Sequence, residues 1–112
     1  MSDELPAIRR QLKIKSGSVA RLWKEYNMYR KEAEEQKVKV DKMIEDAADE
    51  YELRNAQRIL AESERMIDDT SKRVGKSAVD LREIVVVAQQ HPELLDQEEY
   101  MKALQVMQES AM

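Results

Sequence analysis

From Ile8 onward the chain carries a ladder of side chains spaced alternately four and three residues apart: Ile8, Leu12, Lys15, Val19, Leu22, Tyr26, Tyr29, Ala33, Gln36, Val40, Met43 and Ala47. Only Lys15 and Gln36 break its apolar character. A stripe held at an average of 3.5 residues marks a helix that packs on partner helices with left-handed, coiled-coil-like crossing. Such a helix would run ~60 Å at 1.5 Å per residue. Gly17 inside it costs only ~1 kcal/mol relative to alanine, though Ser16 and Gly17 together would suit a late start or a bend.

The stretch from Glu45 to Glu50 ends this ladder and offers Asp49 as an N-cap. A second ladder follows through Leu53, Ala56, Leu60, Ser63, Ile67, Thr70, Val74, Ser77, Leu81, Ile84 and Ala88. Its polar slots are small hydroxyls, which can bond back to a carbonyl one turn earlier. Two helices joined by a short turn must be antiparallel neighbours. Pro92 cannot continue the second helix, because it lacks an N–H and clashes with the preceding turn. Asp96 with Glu99 three residues on reads as a capping box for a third helix, with the stripe Tyr100, Leu104, Met107 and Ala111.

The predicted class is therefore all-α: a three-helix antiparallel bundle, up-down-up, with spectrin-like packing and a short third helix. One domain spanning 1–112 is expected, with helices over about 6–46, 50–88 and 97–110. The third helix is long enough to cover less than half of the hairpin, over the end holding residues 8–28 and 70–88. The turn-proximal seam, with Ala33, Val40, Met43, Ala56 and Leu60, then has only two helices to close it. An incompletely covered apolar seam marks an interaction surface unless long Lys, Arg and Glu stems shield it. A monomer is expected, with a dimer that closes the open seam as the alternative.

Composition narrows function more than fold. Charged residues make up 38% and aromatics 4%, with two Gly and two Pro, which is too little turn chemistry for a sheet protein. There is no cysteine, so neither a disulfide nor a thiolate metal site is available. The one histidine, His91, has no second histidine to share a metal with. The longest apolar run, Ile84–Ala88, is far short of the roughly 20 residues of a membrane span. No signal core is visible near the start, so a cytoplasmic location is expected by default.

Net charge is −4, unevenly spread. Eight basic residues stand among positions 1–31 against Asp3, Glu4 and Glu25, whereas positions 88–112 carry five acids against Lys102. A basic stretch can meet an acidic protein, or simply face the acidic third helix. Nucleic acid is not expected as a partner, because acids interleave from Glu25 and the tyrosines fall on the buried ladder. A membrane is not expected either.

Paired carboxylates need a concave, partly dry site to separate their pKa values, and a slim hairpin supplies little concavity. Runs such as Glu32-Ala33-Glu34-Glu35 read as a solvated face. His91 has no evident orienting partner. Gly17 and Gly75 are isolated, so no phosphate-cradling loop exists. No enzyme activity, cofactor or metal is expected. Trp23 lies beside the ladder and suits packing under the third helix better than anchoring a partner. Ile14, Met28, Val38, Val79 and Val86 fall on outward positions.

The segment Leu12-Lys13-Ile14-Lys15-Ser16-Gly17, continuing through Val19-Ala20-Arg21-Leu22-Trp23-Lys24-Glu25 and Tyr29-Arg30-Lys31-Glu32-Ala33, resembles the tubulin-binding cofactor A family. Lys42-Met43, Tyr51-Glu52-Leu53, Ile59-Leu60-Ala61-Glu62-Ser63, Met66-Ile67 and Glu98-Glu99-Tyr100 extend the likeness over almost the whole chain. The family tends to place a proline where this chain has Asp68, and glycine or proline in the turn where it reads Ala47-Ala48-Asp49. The resemblance implies a three-helix chaperone that captures β-tubulin released from the cytosolic chaperonin. It would pass the monomer to other tubulin-folding cofactors for pairing with α-tubulin, without nucleotide or metal, in a cytoskeleton-associated setting. An acidic client would meet the basic face of helix 1, so the expected contacts are Lys13, Lys15, Arg21, Lys24 and Lys31, with Ile14 and Met28 beside them. Helix 2 would add Arg58, Glu62 and Arg65.

Two other readings compete. A structural or trafficking bundle, either a spectrin-like repeat or the N-terminal domain of a vesicle-fusion protein, shares the helix pattern. Spectrin repeats, however, have a full-length third helix. A helical chorismate mutase needs several buried basic residues, and Lys15 is the only one on either ladder.

Overall fold

The computed structural model describes residues 4–111, and every regular element among them is helical. Helix α1 spans Glu4–Glu45, α2 spans Glu50–Ala88, and a 3₁₀ turn at Pro92–Leu94 leads into α3, Glu98–Glu109. The expected all-α class, with three helices and a short third one, is the class that forms.

The α1–α2 turn is a helix stop written in hydrogen bonds. Ala47 takes a left-handed backbone, φ 52°. The Ala48 N–H then donates to the Met43 carbonyl at 2.9 Å and the Ala47 N–H to the Ile44 carbonyl at 3.2 Å. Those two bonds make a Schellman closure, whose left-handed position usually holds glycine. An alanine Cβ is strained there. Ala47→Gly is therefore expected to stabilise the protein by about 1 kcal/mol, net of the extra unfolded-state freedom of glycine. Urea unfolding checks this through a higher midpoint at unchanged slope, and a lower midpoint would contradict it. Asp49 caps α2 as expected: its Oδ2 accepts from the N–H groups of Tyr51 and Glu52 at 3.1 and 3.2 Å.

Contacts group the chain into two compact units: Lys24–Lys72, and the chain up to Trp23 together with the chain from Arg73 onward. The Lys24–Lys72 unit is an antiparallel helical hairpin. Ala33, Val40, Ala56 and Thr70 are buried in its seam, while Tyr26, Tyr29, Met43, Leu53, Leu60 and Ile67 are half-covered. The polar ladder slots have structural reasons here. Gln36 donates from Nε2 to the Ala56 carbonyl at 2.9 Å, tying the two helices together. Thr70 returns its hydroxyl to the Met66 carbonyl at 2.7 Å. Asp68 sits within an unbroken α2 and pairs with Lys72 at 3.0 Å.

The other unit has three helical segments around a core of Ile8, Leu12, Val19, Leu81, Val85, Ala88, Leu94, Tyr100, Ala103 and Val106. Val85 lies one step off the α2 ladder. It is buried because α3 covers that flank. Leu94 brings the 3₁₀ turn into the same core.

Two expectations for α3 are corrected. Its buried residues are Tyr100, Ala103 and Val106, followed by Ser110, so the stripe is rotated from the expected one. Leu104 is 40% exposed and Ala111 is exposed. Glu98, Lys102, Gln105 and Glu109 mark a polar side, but the apolar arc opposite it, from Met101 round to Val106, is wider than the face α3 buries, so spacing alone left the buried centre open. The capping box does not form either. The N-cap is Gln97, with no side-chain cap bond. Glu99 reaches across to Arg9 instead of back to its own helix start.

Candidate partner-binding surface

A helix returns to the same side every seven residues, so outward positions in one register form lines along its surface. In the three-segment unit Ile14 and Arg21 share such a line on α1, and both are exposed. Lys13, one step earlier, is exposed beside α3 and lines a notch with Glu98, Glu99 and Lys102. Lys15 lies on the inner ladder and is half-buried. Thus Lys13, Ile14 and Lys15, adjacent in sequence, point three ways.

In the hairpin unit Lys24 and Lys31 form one exposed line on α1 with Met28 on the flank beside it. Arg58 and Arg65 form the matching line on α2, with Glu62 between them. The Arg58 guanidinium also donates to the Asn55 Oδ1 at 2.8 Å, which fixes its direction along the helix.

The outward apolar residues expected from spacing, Ile14, Met28, Val38, Val79 and Val86, are all exposed. Sequence spacing did not single out Ile44, Tyr51, Ile59, Val87, Leu95, Met101 or Leu104, which are exposed too. Tyr51 is the extreme case at 77% exposure. It directly follows the first residue of α2, where no partner helix covers it. In the hairpin unit it borders a shallow groove with Lys39, Met43, Glu52 and Ile59. Trp23 is half-buried.

Electrostatic organisation is clearest at Arg9 and Glu99. The guanidinium donates through Nη2 and Nε to the two carboxylate oxygens at 3.0 and 3.3 Å. That hydrogen bond, supported by one from its own backbone N–H, holds the Glu99 carboxyl below the usual carboxylate value. A carboxyl lowered in the folded state favours folding above its unfolded pKa. That contribution fades as pH falls through the folded value. Arg9→Ala is expected to return the Glu99 titration midpoint toward the ordinary glutamate range, read from side-chain carboxyl NMR shifts. An unmoved midpoint would mean that Arg9 is not the cause. The other ion pairs among the described residues, Lys42–Asp46 at the end of α1 and Arg54–Glu50 and Lys72–Asp68 within α2, are exposed. Such solvent-screened pairs contribute little to stability.

Among the described residues no group of three His, Asp or Glu side chains is placed to hold a metal ion. No helix among them is long and apolar enough to cross a membrane.

The sequence model of tubulin binding cofactor A matches residues 7–107. The chain belongs to that family. Among its relatives, the tubulin-specific chaperone A of Gallus gallus is 39% identical over 99 residues, spanning 88% of this chain and 89% of that protein. The crystal structure of tubulin folding cofactor A from Arabidopsis thaliana superposes with a TM-score of 0.85 at 30% identity, covering 93% of this chain and 95% of that one. Human tubulin chaperone cofactor A gives 0.79 at 36% identity, covering 94% and 99%. Family membership thus rests on sequence and fold together. A spectrin-like repeat, by contrast, requires a full-length third helix, and α3 has 12 residues.

Proposed function

We propose that this chain is a tubulin-folding chaperone that captures β-tubulin monomers as they leave the chaperonin and holds them against aggregation. It then hands them to other tubulin-folding cofactors for pairing with α-tubulin, in the cytoplasm and in association with the cytoskeleton. The observation that carries this is the family match over residues 7–107. The surface supports it: a non-enzymatic holder needs exposed apolar residues framed by charge, and that is what both units present. Within this proposal the contacts come from Lys13, Ile14, Lys15 and Arg21 in one unit and from Lys24, Met28, Lys31, Arg58, Glu62 and Arg65 in the other.

Dilute β-tubulin released from chaperonin in the presence of the purified protein tests the activity through turbidity. An equimolar amount is expected to keep the solution clear, and unchanged aggregation would overturn the proposal. Charge reversal at Lys24 and Lys31 is expected to slow capture chiefly through the association rate, and to flatten its salt dependence.

A further inference from the structure

Two adjoining hollows of about 280 and 400 Å³ open along one edge of the Lys24–Lys72 hairpin. They share Gln36, Lys39 and Ile59, so they form one continuous shallow groove. Its line on α1 repeats every seven residues, Glu32 then Lys39, and its line on α2 does the same, Glu52 then Ile59. The floor is fixed: Ala56 is buried, and Gln36 spends its Nε2 on the Ala56 carbonyl at 2.9 Å. Apolar surface remains above it. Met43 is half-covered, Ile59 is 40% exposed and Tyr51 is 77% exposed. From Glu32 to Met43 the groove runs ~16 Å at 1.5 Å per residue, about three turns of a docked helix.

The charge around the groove has one dominant sign. Its lining holds Glu32, Glu35 and Glu52 against Lys39 alone, an excess of two acids. None of those four forms an ion pair among the described residues. The Arg58 guanidinium, held by the Asn55 Oδ1 at 2.8 Å, lies outside the lining. Towards the α1–α2 turn the excess grows: from Asp41 to Glu52 six acids stand against Lys42. None of the residues proposed for capture lines this groove. An apolar floor inside an acidic rim attracts a cationic partner and repels an acidic one.

We propose that this groove docks a basic amphipathic helix of another protein, its aliphatic residues seated over Met43 and Ile59 and its Lys or Arg side chains reaching Glu32, Glu35 and Glu52. Docking of this kind uses apolar anchors about one turn apart, and a groove of about three turns takes anchors at i, i+4 and i+7. Tyr51 adds an exposed ring on which a cation can rest. A second copy of this chain fits less well, because a two-fold pair would set the same acidic edge against itself. The surface belongs to this chain alone and holds whichever client the basic lines meet.

The test is heteronuclear NMR of the isotope-labelled full chain, titrated with an acetylated and amidated peptide of two Lys-Leu-Ala-Lys-Lys-Leu-Ala repeats. Two control peptides replace every Lys by Glu, or every Leu by Ser. Saturable shifts confined to residues 32–43 and 51–63, seen only with the first peptide and weakened by salt, are expected. Ile59→Gln is expected to weaken binding roughly tenfold with Tm little changed, since Ile59 is 40% exposed. Glu35→Lys combined with Glu52→Lys should weaken it roughly tenfold at low salt and less at high salt. Val86→Gln, at an exposed apolar position of the other unit, should leave the affinity unchanged. Equal binding of either control peptide, unchanged affinity in Ile59→Gln, or shifts spread over both units would each overturn the proposal. Shifts of the same residues on concentrating the protein alone would overturn it too, and would assign the groove to a second copy.

Discussion

Leu81→Ala is expected to destabilise the protein by about 2–5 kcal/mol, lowering Tm by roughly 8–20 °C. Leu81 is 0% exposed and packs in the core that joins α1, α2 and α3. Truncation removes buried methyl groups that contribute about 1.5–3 kcal/mol and leaves a cavity that close-packed neighbours cannot fully collapse. Because domains of this size are stable by only about 5–15 kcal/mol, a large share of the total is at stake. Leu95→Ala is the matched control: the same atoms are lost from a residue 40% exposed, and less than about 1 kcal/mol is expected. Equilibrium urea unfolding of both variants separates the two cases. Equal losses would mean that burial does not set the energetics of this core.

Leu94→Ala is expected to cost a similar amount, about 2–5 kcal/mol, but with a local signature. Leu94 is 2% exposed and ends the 3₁₀ turn, where Leu95 N–H bonds to the Pro92 carbonyl at 3.3 Å and Leu94 N–H to that of His91 at 2.9 Å. It is thus the apolar anchor that holds the α2–α3 crossing against the core. Without it, the apolar contacts that keep α3 docked are Tyr100, Ala103, Val106 and the half-buried Met107, beside the exposed Arg9–Glu99 pair. A 12-residue helix has little stability of its own in water. Amide exchange across Glu98–Glu109 should therefore accelerate more than exchange in the α1 segment it covers. Unchanged protection in α3 would show that Leu94 is dispensable as an anchor.

The two long ladders were legible in the sequence because each long helix buries one side only. From Ile8 to Met43 and from Leu53 to Ala88, every ladder residue is buried or half-buried. Even the exceptions fit, with Gln36 spent on the Ala56 carbonyl and Lys15 half-buried. Asp49 was legible as a cap because an aspartate before a periodic run has one local use. The phase of α3 was only partly legible, since Glu98, Lys102, Gln105 and Glu109 define its polar side but Tyr100, Met101, Ala103, Leu104, Val106 and Met107 spread over an arc wider than the face it buries. Leu94 escaped for the opposite reason: it sits in a short non-periodic stretch, and its burial follows from the path of the chain after Pro92.

The candidate surface was partly legible. Its charge came from composition and its family from the segments beginning at Leu12. The directions of Lys13, Ile14 and Lys15 needed the helix register, because neighbours in sequence stand about 100° apart on a helix. A footprint on a partner is written in two surfaces, and only one of them belongs to this chain.

Size-exclusion chromatography with light scattering is the most direct measurement, run on the 13.1 kDa protein alone, then with freshly released β-tubulin, then with α-tubulin. The expected result is a monomer that shifts into a one-to-one complex with β-tubulin and ignores α-tubulin. A stable dimer that co-elutes with neither would contradict the account and assign the exposed apolar surface to self-association.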